Sequence, residues 1–184
     1  MTDRSQYTPG PASGAQVRKN DGEMWTLILE RELRHPPEKV WLALTDPEHL
    51  REWAPFDADS SLGTVGNTVK LTTVGAPTPH VTTTTVTRAD APRLLEYNWG
   101  GNDMRWELEG FDGGTRMTLW TSIDRRYIAM GAAGWHVCFD VMDHLLSGEP
   151  IGRLVGPDVM KFDGWQRLHA EYKKQFGAET ESKE

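Results

Sequence analysis

The chain has 184 residues, 38% of them hydrophobic, with eight tryptophans and a formal net charge of −7. That length suits one domain with a full-sized core. The acidic balance, with no basic cluster, speaks against nucleic acid or anionic membrane as the main partner, since both attract a Lys/Arg excess.

Residues 1–22, MTDRSQYTPGPASGAQVRKNDG, are rich in Gly, Pro, Ser and charge, with little to bury, and are expected to form a disordered tail. Residues 24–33, MWTLILEREL, alternate as a strand with Trp25, Leu27, Leu29 and Leu33 on one face. HPPEKVWLALTDPEHLREW then opens with Pro36 and Pro37. They suit the first turn of a helix, where a missing amide hydrogen costs nothing. Val40, Trp41 and Leu44 form its stripe, and Asp46-Pro47 starts a second short helix carrying Leu50 and Trp53.

Five strand-like runs follow, near 67–74, 80–88, 93–99, 104–110 and 115–123, separated by turn signals such as RADAP, GGND and FDGG. Leu95, Tyr97 and Trp99 share a face, as do Met104, Trp106 and Leu108, and Met117, Leu119 and Ile123. Arg105, Glu107, Glu109 and Arg116 take the other side, as in an antiparallel sheet wet on one face. In 80–88 the threonines leave the parity open. From 134 to 147 the apolar residues Trp135, Cys138, Phe139, Met142, Leu145 and Leu146 recur at helical spacing, and Gly148 suits a stop. A second helical stretch runs from 158 to 176, and 177–184, GAETESKE, reads as an acidic C-terminal tail. The folded part is therefore expected at 23–176, as one dry-faced sheet covered by helices, an α+β two-layer arrangement.

The 134–147 helix also carries His136, Asp140 and His144 at i, i+4 and i+8, close to one line on its surface. His and carboxylate at that spacing can hold a transition metal. Without a HExxH or CxxC companion, however, the pattern reads as a polar face turned to water, and no metal is expected. Cys138, among apolar neighbours, reads as a structural thiol with a raised pKa. As the single cysteine it forms no internal disulfide. Neither a nucleophile elbow, a P-loop nor a dinucleotide fingerprint occurs, so no cofactor is expected. With no membrane-length apolar run and no signal-peptide core, a reduced cytoplasmic setting is expected.

RELRHPPEKVWLALTDPEHLREW, then APRLLEYNWG with GGTRMTLW, then GWHVCFDVMDHLLSGEP together resemble the SRPBCC (START-related) superfamily. Within it they resemble the bacterial homologues of the activator of the heat-shock protein 90 ATPase. The resemblance runs from about Trp25 to Phe176. It implies a helix-grip fold, in which a curved antiparallel sheet wraps a long C-terminal helix, with a small helical pair after the first strand and a cavity between sheet and helix. Members bind lipids, hormones or polyketides, some are cyclases or aromatases, and one branch is a co-chaperone, so the fold alone does not choose. Within such a fold Trp53, Phe56, Tyr97, Trp99, Trp106, Phe139 and Met142 are expected to touch a small hydrophobic or aromatic guest. By strand parity Tyr97 is the clearest inward polar group. A cyclase needs at least two converging polar groups, which the sequence does not assemble, so the leading expectation is a binder rather than an enzyme. A chaperone partner and a homodimer follow from the resemblance alone.

Overall fold

The computed structural model describes residues 7–20, 22–75 and 77–180. Its strands are β1 (Ala15–Arg18), β2 (Met24–Leu33), β3 (Phe56–Ala58), β4 (Thr68–Thr73), β5 (His80–Thr85), β6 (Arg88–Asp90), β7 (Leu94–Trp99), β8 (Asn102–Phe111) and β9 (Gly114–Asp124). Its helices are α1 (Pro37–Thr45), α2 (Pro47–Trp53), α3 (Ile128–Leu146), α4 (Pro157–Met160) and α5 (Asp163–Thr180). The strands make a six-stranded antiparallel sheet in the order β1-β2-β9-β8-β7-β6, and a three-stranded one in the order β3-β4-β5.

Register explains the dry face. Ala15 lies opposite Leu29, Leu29 opposite Leu119, Leu119 opposite Trp106 and Trp106 opposite Leu95. All five are buried, so one row of apolar side chains crosses five strands. The next row, Leu27, Thr121, Met104 and Tyr97, is buried as well. The outer face is charged, with Arg105 spanning Glu96 and Glu107 and lying over the Trp120 ring. α3 covers the inner face, and α5 packs against α3. The architecture is the expected α+β helix-grip arrangement, with α1 and α2 forming the small helical pair after β2.

Several expectations are corrected. The segment 1–22 is not a free tail where it is described. β1 pairs along β2, and Tyr7 is buried, stacked on Phe162 at 5.7 Å and donating its hydroxyl to Asp140. Arg167 donates to the carbonyls of Pro9 and Gly10, and the Tyr172 hydroxyl donates to the Ser13 carbonyl at 3.1 Å. Main-chain hydrogen bonds thus help to hold a segment in which Tyr7, Pro9 and Ala15 are buried. Residues 1–6 and 21 of that tail lie outside the described residues, as do 181–184 of the C-terminal one. α5 continues through Gly177 to Thr180, so the acidic tail begins later than expected.

The polar side of α3 does not face water throughout, either. His136 is buried, its Nδ1 at 2.8 Å from the Tyr172 hydroxyl, and Asp140 pairs with Arg31 from β2. Arg31 shares the inward parity of Leu27, Leu29 and Leu33, so its charge enters the protein and meets a carboxylate there. Burial pushes the His136 pKa down, opposed by the nearby Asp140 carboxylate, with Arg31 and Arg167 adding to the depression.

A candidate ligand groove beside the aromatic core

Buried rings form a continuous cluster under the sheet. Trp106 meets Trp53, Trp135 and Phe139 in edge-to-face contacts, with centroids 6.1, 5.7 and 5.9 Å apart. Trp53 donates its indole N–H to the Ala43 carbonyl at 2.9 Å, and Trp106 donates to the Tyr97 hydroxyl at 3.2 Å. These bonds make it possible to seal such large polar-tipped rings inside.

Beside this cluster lies an apolar groove of about 410 Å³. One wall is the N-terminal half of α3, with Met130, Gly131, Gly134, Trp135 and Cys138. The sheet contributes Trp99, Asn102 and Thr121 to Ile123, and the β4–β5 loop adds Val74 and Gly75. The opposite wall is Leu154 to Gly156, then Val159 and Met160 of α4 and Trp165 of α5. Met130 and Met160 are 40% and 44% exposed, which marks the mouth. Gly75 and Gly156 touch through their backbones. A Cβ on Gly156 would stand 2.4 Å from the Gly75 carbonyl oxygen, and both residues have positive φ, so two loops meet there as only glycines allow.

The two α3 glycines differ. A Cβ on Gly131 would come within 2.7 Å of Ile123 Cδ1, so its absence lets helix and sheet approach. A Cβ on Gly134 would meet nothing within 4 Å. Glycine inside a helix costs about 1 kcal/mol relative to alanine. At Gly134 no packing contact offsets that cost; what the glycine leaves is space in the groove wall.

Of the seven residues expected to touch a guest, only Trp99 lines this groove. Trp53, Phe56, Trp106, Phe139 and Met142 are at most 2% exposed and Tyr97 4%, all packed as core. The sheet and the C-terminal half of α3 meet closely through these large rings, so the open space shifts to the N-terminal half, where the glycines thin the helix. Tyr97 is sealed, and burial raises its pKa strongly, so it cannot act as an acid toward the groove. Trp135, Met130, Leu154, Val159, Met160 and Trp165 were missing from the expected set. The visible signals were the paired glycines in the apolar N-terminal half of the helix and the excess of aromatic residues.

The groove's chemistry is spare. Among its described lining residues none is charged, and Cys138 is the one with a titratable side chain. Burial pushes the Cys138 thiol up to about 12, so it stays protonated and unreactive near neutrality. Hydroxyls in the wall are engaged: Thr73 accepts from the Trp99 indole N–H at 3.3 Å, Ser122 accepts from the Asp103 amide at 2.8 Å, and Thr121 contacts Met104 Sδ at 3.1 Å. No acid–base pair points into the space, among the described residues.

The family comparison follows this geometry. The sequence profile described as "Activator of Hsp90 ATPase homolog 1-like protein" matches residues 34–147, from the turn before α1 to the end of α3. The chain belongs to that family, and so to the SRPBCC superfamily. Among solved structures it is similar to the conserved protein EF2215 from Enterococcus faecalis, at 16% identity over 91% of this chain and 92% of that one, with TM-score 0.67. It is also similar to CalU16 from Micromonospora echinospora, at 19% identity over 91% and 98%, with TM-score 0.63. A further similarity is to DynU16, described as a protein in the dynemicin biosynthetic locus, at 20% identity over 69% of this chain and 49% of that one, with TM-score 0.59. At these identities the likeness is one of fold. No curated protein matches the chain. No helix among the described residues is long and apolar enough to cross a membrane.

Proposed function

We propose that this protein binds a small apolar molecule in the groove between the N-terminal half of α3, the sheet edge at Trp99 and the Leu154–Met160 segment. The observation that carries the reading is the wall itself: concave, aromatic and aliphatic, of ligand size, and without an ionisable group able to exchange a proton near neutrality. Such a site can hold and orient a guest but offers no general acid or base, which favours a carrier or sequestering role over catalysis. The similarity of fold to a protein in the dynemicin biosynthetic locus is in keeping with a small organic guest.

Native mass spectrometry on freshly purified protein, followed by titration with a panel of hydrophobic dyes, tests this. A discrete co-purifying mass or a saturable one-to-one dye signal, weakened at least tenfold by Trp99→Ala, is the expected result. A clean apo mass together with no saturable binding removes the reading. The family description favours a second reading, in which the chain stimulates a heat-shock chaperone's ATPase. Adding the purified protein to such an ATPase decides it, and an unchanged rate disposes of it.

A further inference from the structure

We propose that the groove selects uncharged, ring-containing guests, and that Gly134 is the residue that admits them. This rests on the groove being the ligand site. Two observations on its wall lead there. First, every described lining side chain is neutral, and Arg153, whose charge acts on the Cys138 thiol, is committed elsewhere: its guanidinium pairs with Asp57 at 2.6 Å and donates to the Leu50 carbonyl at 3.2 Å. A carboxylate, sulfonate or ammonium drawn into that space would lose its hydration and find no counter-charge. Thr73 and Ser122 accept within the protein, so their hydroxyls and the buried Trp165 indole N–H offer an ion hydrogen bonds but no compensating charge.

Second, the helix wall is stepped. Trp135 stands at 8% exposure, edge-on to Trp99 at 6.0 Å, and directly before it a Cβ on Gly134 would meet nothing within 4 Å beyond its chain neighbours and the helix's own backbone. Trp99, Gly134 and Trp135 line one groove, which is where a flat ring is proposed to lie. Any larger residue at 134 points into the same space.

A matched pair of probes tests both parts. N-phenyl-1-naphthylamine is neutral, and 8-anilino-1-naphthalenesulfonate has the same ring system with a sulfonate added. Fluorescence titrations, repeated at high salt to screen the protein's overall negative charge, are expected to give at least tenfold tighter binding of the neutral dye. Gly134→Leu is expected to weaken that binding at least tenfold while the unfolding transition stays cooperative. Met160→Lys, at the exposed rim, leaves Gly134 untouched and is expected to raise sulfonate affinity severalfold without changing the neutral dye.

Equal affinity for both dyes, with both lost in Gly134→Leu, would overturn charge selection while leaving the groove as the ligand site. Neutral-dye binding that Gly134→Leu leaves unchanged in a folded protein overturns the assignment of Gly134 and the groove reading with it. Should that variant unfold, the Met160→Lys pair of titrations decides charge selection alone, and an unaltered sulfonate affinity counts against it.

Discussion

The two halves of α3 share one helix and one sequence style, yet they do opposite things. From Trp135 onward its side chains are committed: Phe139 and Met142 to the aromatic core, His136 and Asp140 to a buried polar network with Tyr7, Arg31 and Tyr172. From Ile128 to Gly134 three alanines and two glycines thin the helix, and a groove opens beside it. The same helix therefore builds a core where large rings face each other and leaves an open groove where glycine replaces them. What separates the two is side-chain volume at a few positions, not hydrophobicity.

That contrast can be broken by mutation, beginning with the committed half. Trp106→Ala should cost about 3–5 kcal/mol in denaturant unfolding, because it removes the ring at the centre of the cluster. Asp140→Ala should cost about 1–3 kcal/mol, since it strands the Arg31 guanidinium and the Tyr7 hydroxyl in a half-buried place. Tyr7→Phe, which leaves the stacking on Phe162 intact, should cost about 1 kcal/mol by the same measure. In the groove half the sign reverses. Gly134→Ala should stabilise by up to about 1 kcal/mol, because it restores helix propensity into empty space.

Acid sharpens the comparison. His136 has a lowered pKa in the folded protein, so below an ordinary histidine value of about 6.5 the unfolded chain takes up the proton first. Its contribution to stability is complete above that pH and is lost as pH falls toward the folded-state value. Unfolding midpoints measured across that range should decline on acidification, and the decline should be shallower in His136→Gln. An identical slope in the two proteins would place the acid sensitivity elsewhere, with His169 the next group to test, since burial lowers its pKa too.

Much of this was legible in the sequence. Strand parity placed Leu95, Trp106 and Leu119 on one face, and the register put them in one row. Arg31 does not read as inward although it shares the parity of Leu29 and Leu33, and nothing in β2 itself tells which carboxylate will meet it. The N-terminal segment escaped because much of what holds it is backbone, at Pro9, Gly10 and Ser13, and backbone leaves no mark on composition. The groove is lined mostly by residues other than the expected ones for a different reason. Periodicity shows which residues turn inward, whereas an opening depends on how closely two inward faces approach, and that is decided by volumes contributed from opposite sides. The Leu154–Val159 wall, irregular and short, has no period to read.

The stitching of Tyr7–Arg18 to α5 has a kinetic side. Its hydrogen bonds join residues 157 to 160 positions apart, from Gly10 and Arg167 to Ala15 and Gln175. Contacts between the two extremes of a sequence are the slowest to find one another, because a long loop must close before they reward it. On a translating ribosome the leading segment would stay unpaired on that side until α5 had emerged. Its docking is therefore expected among the last events of folding, and among the first to be undone when the protein opens.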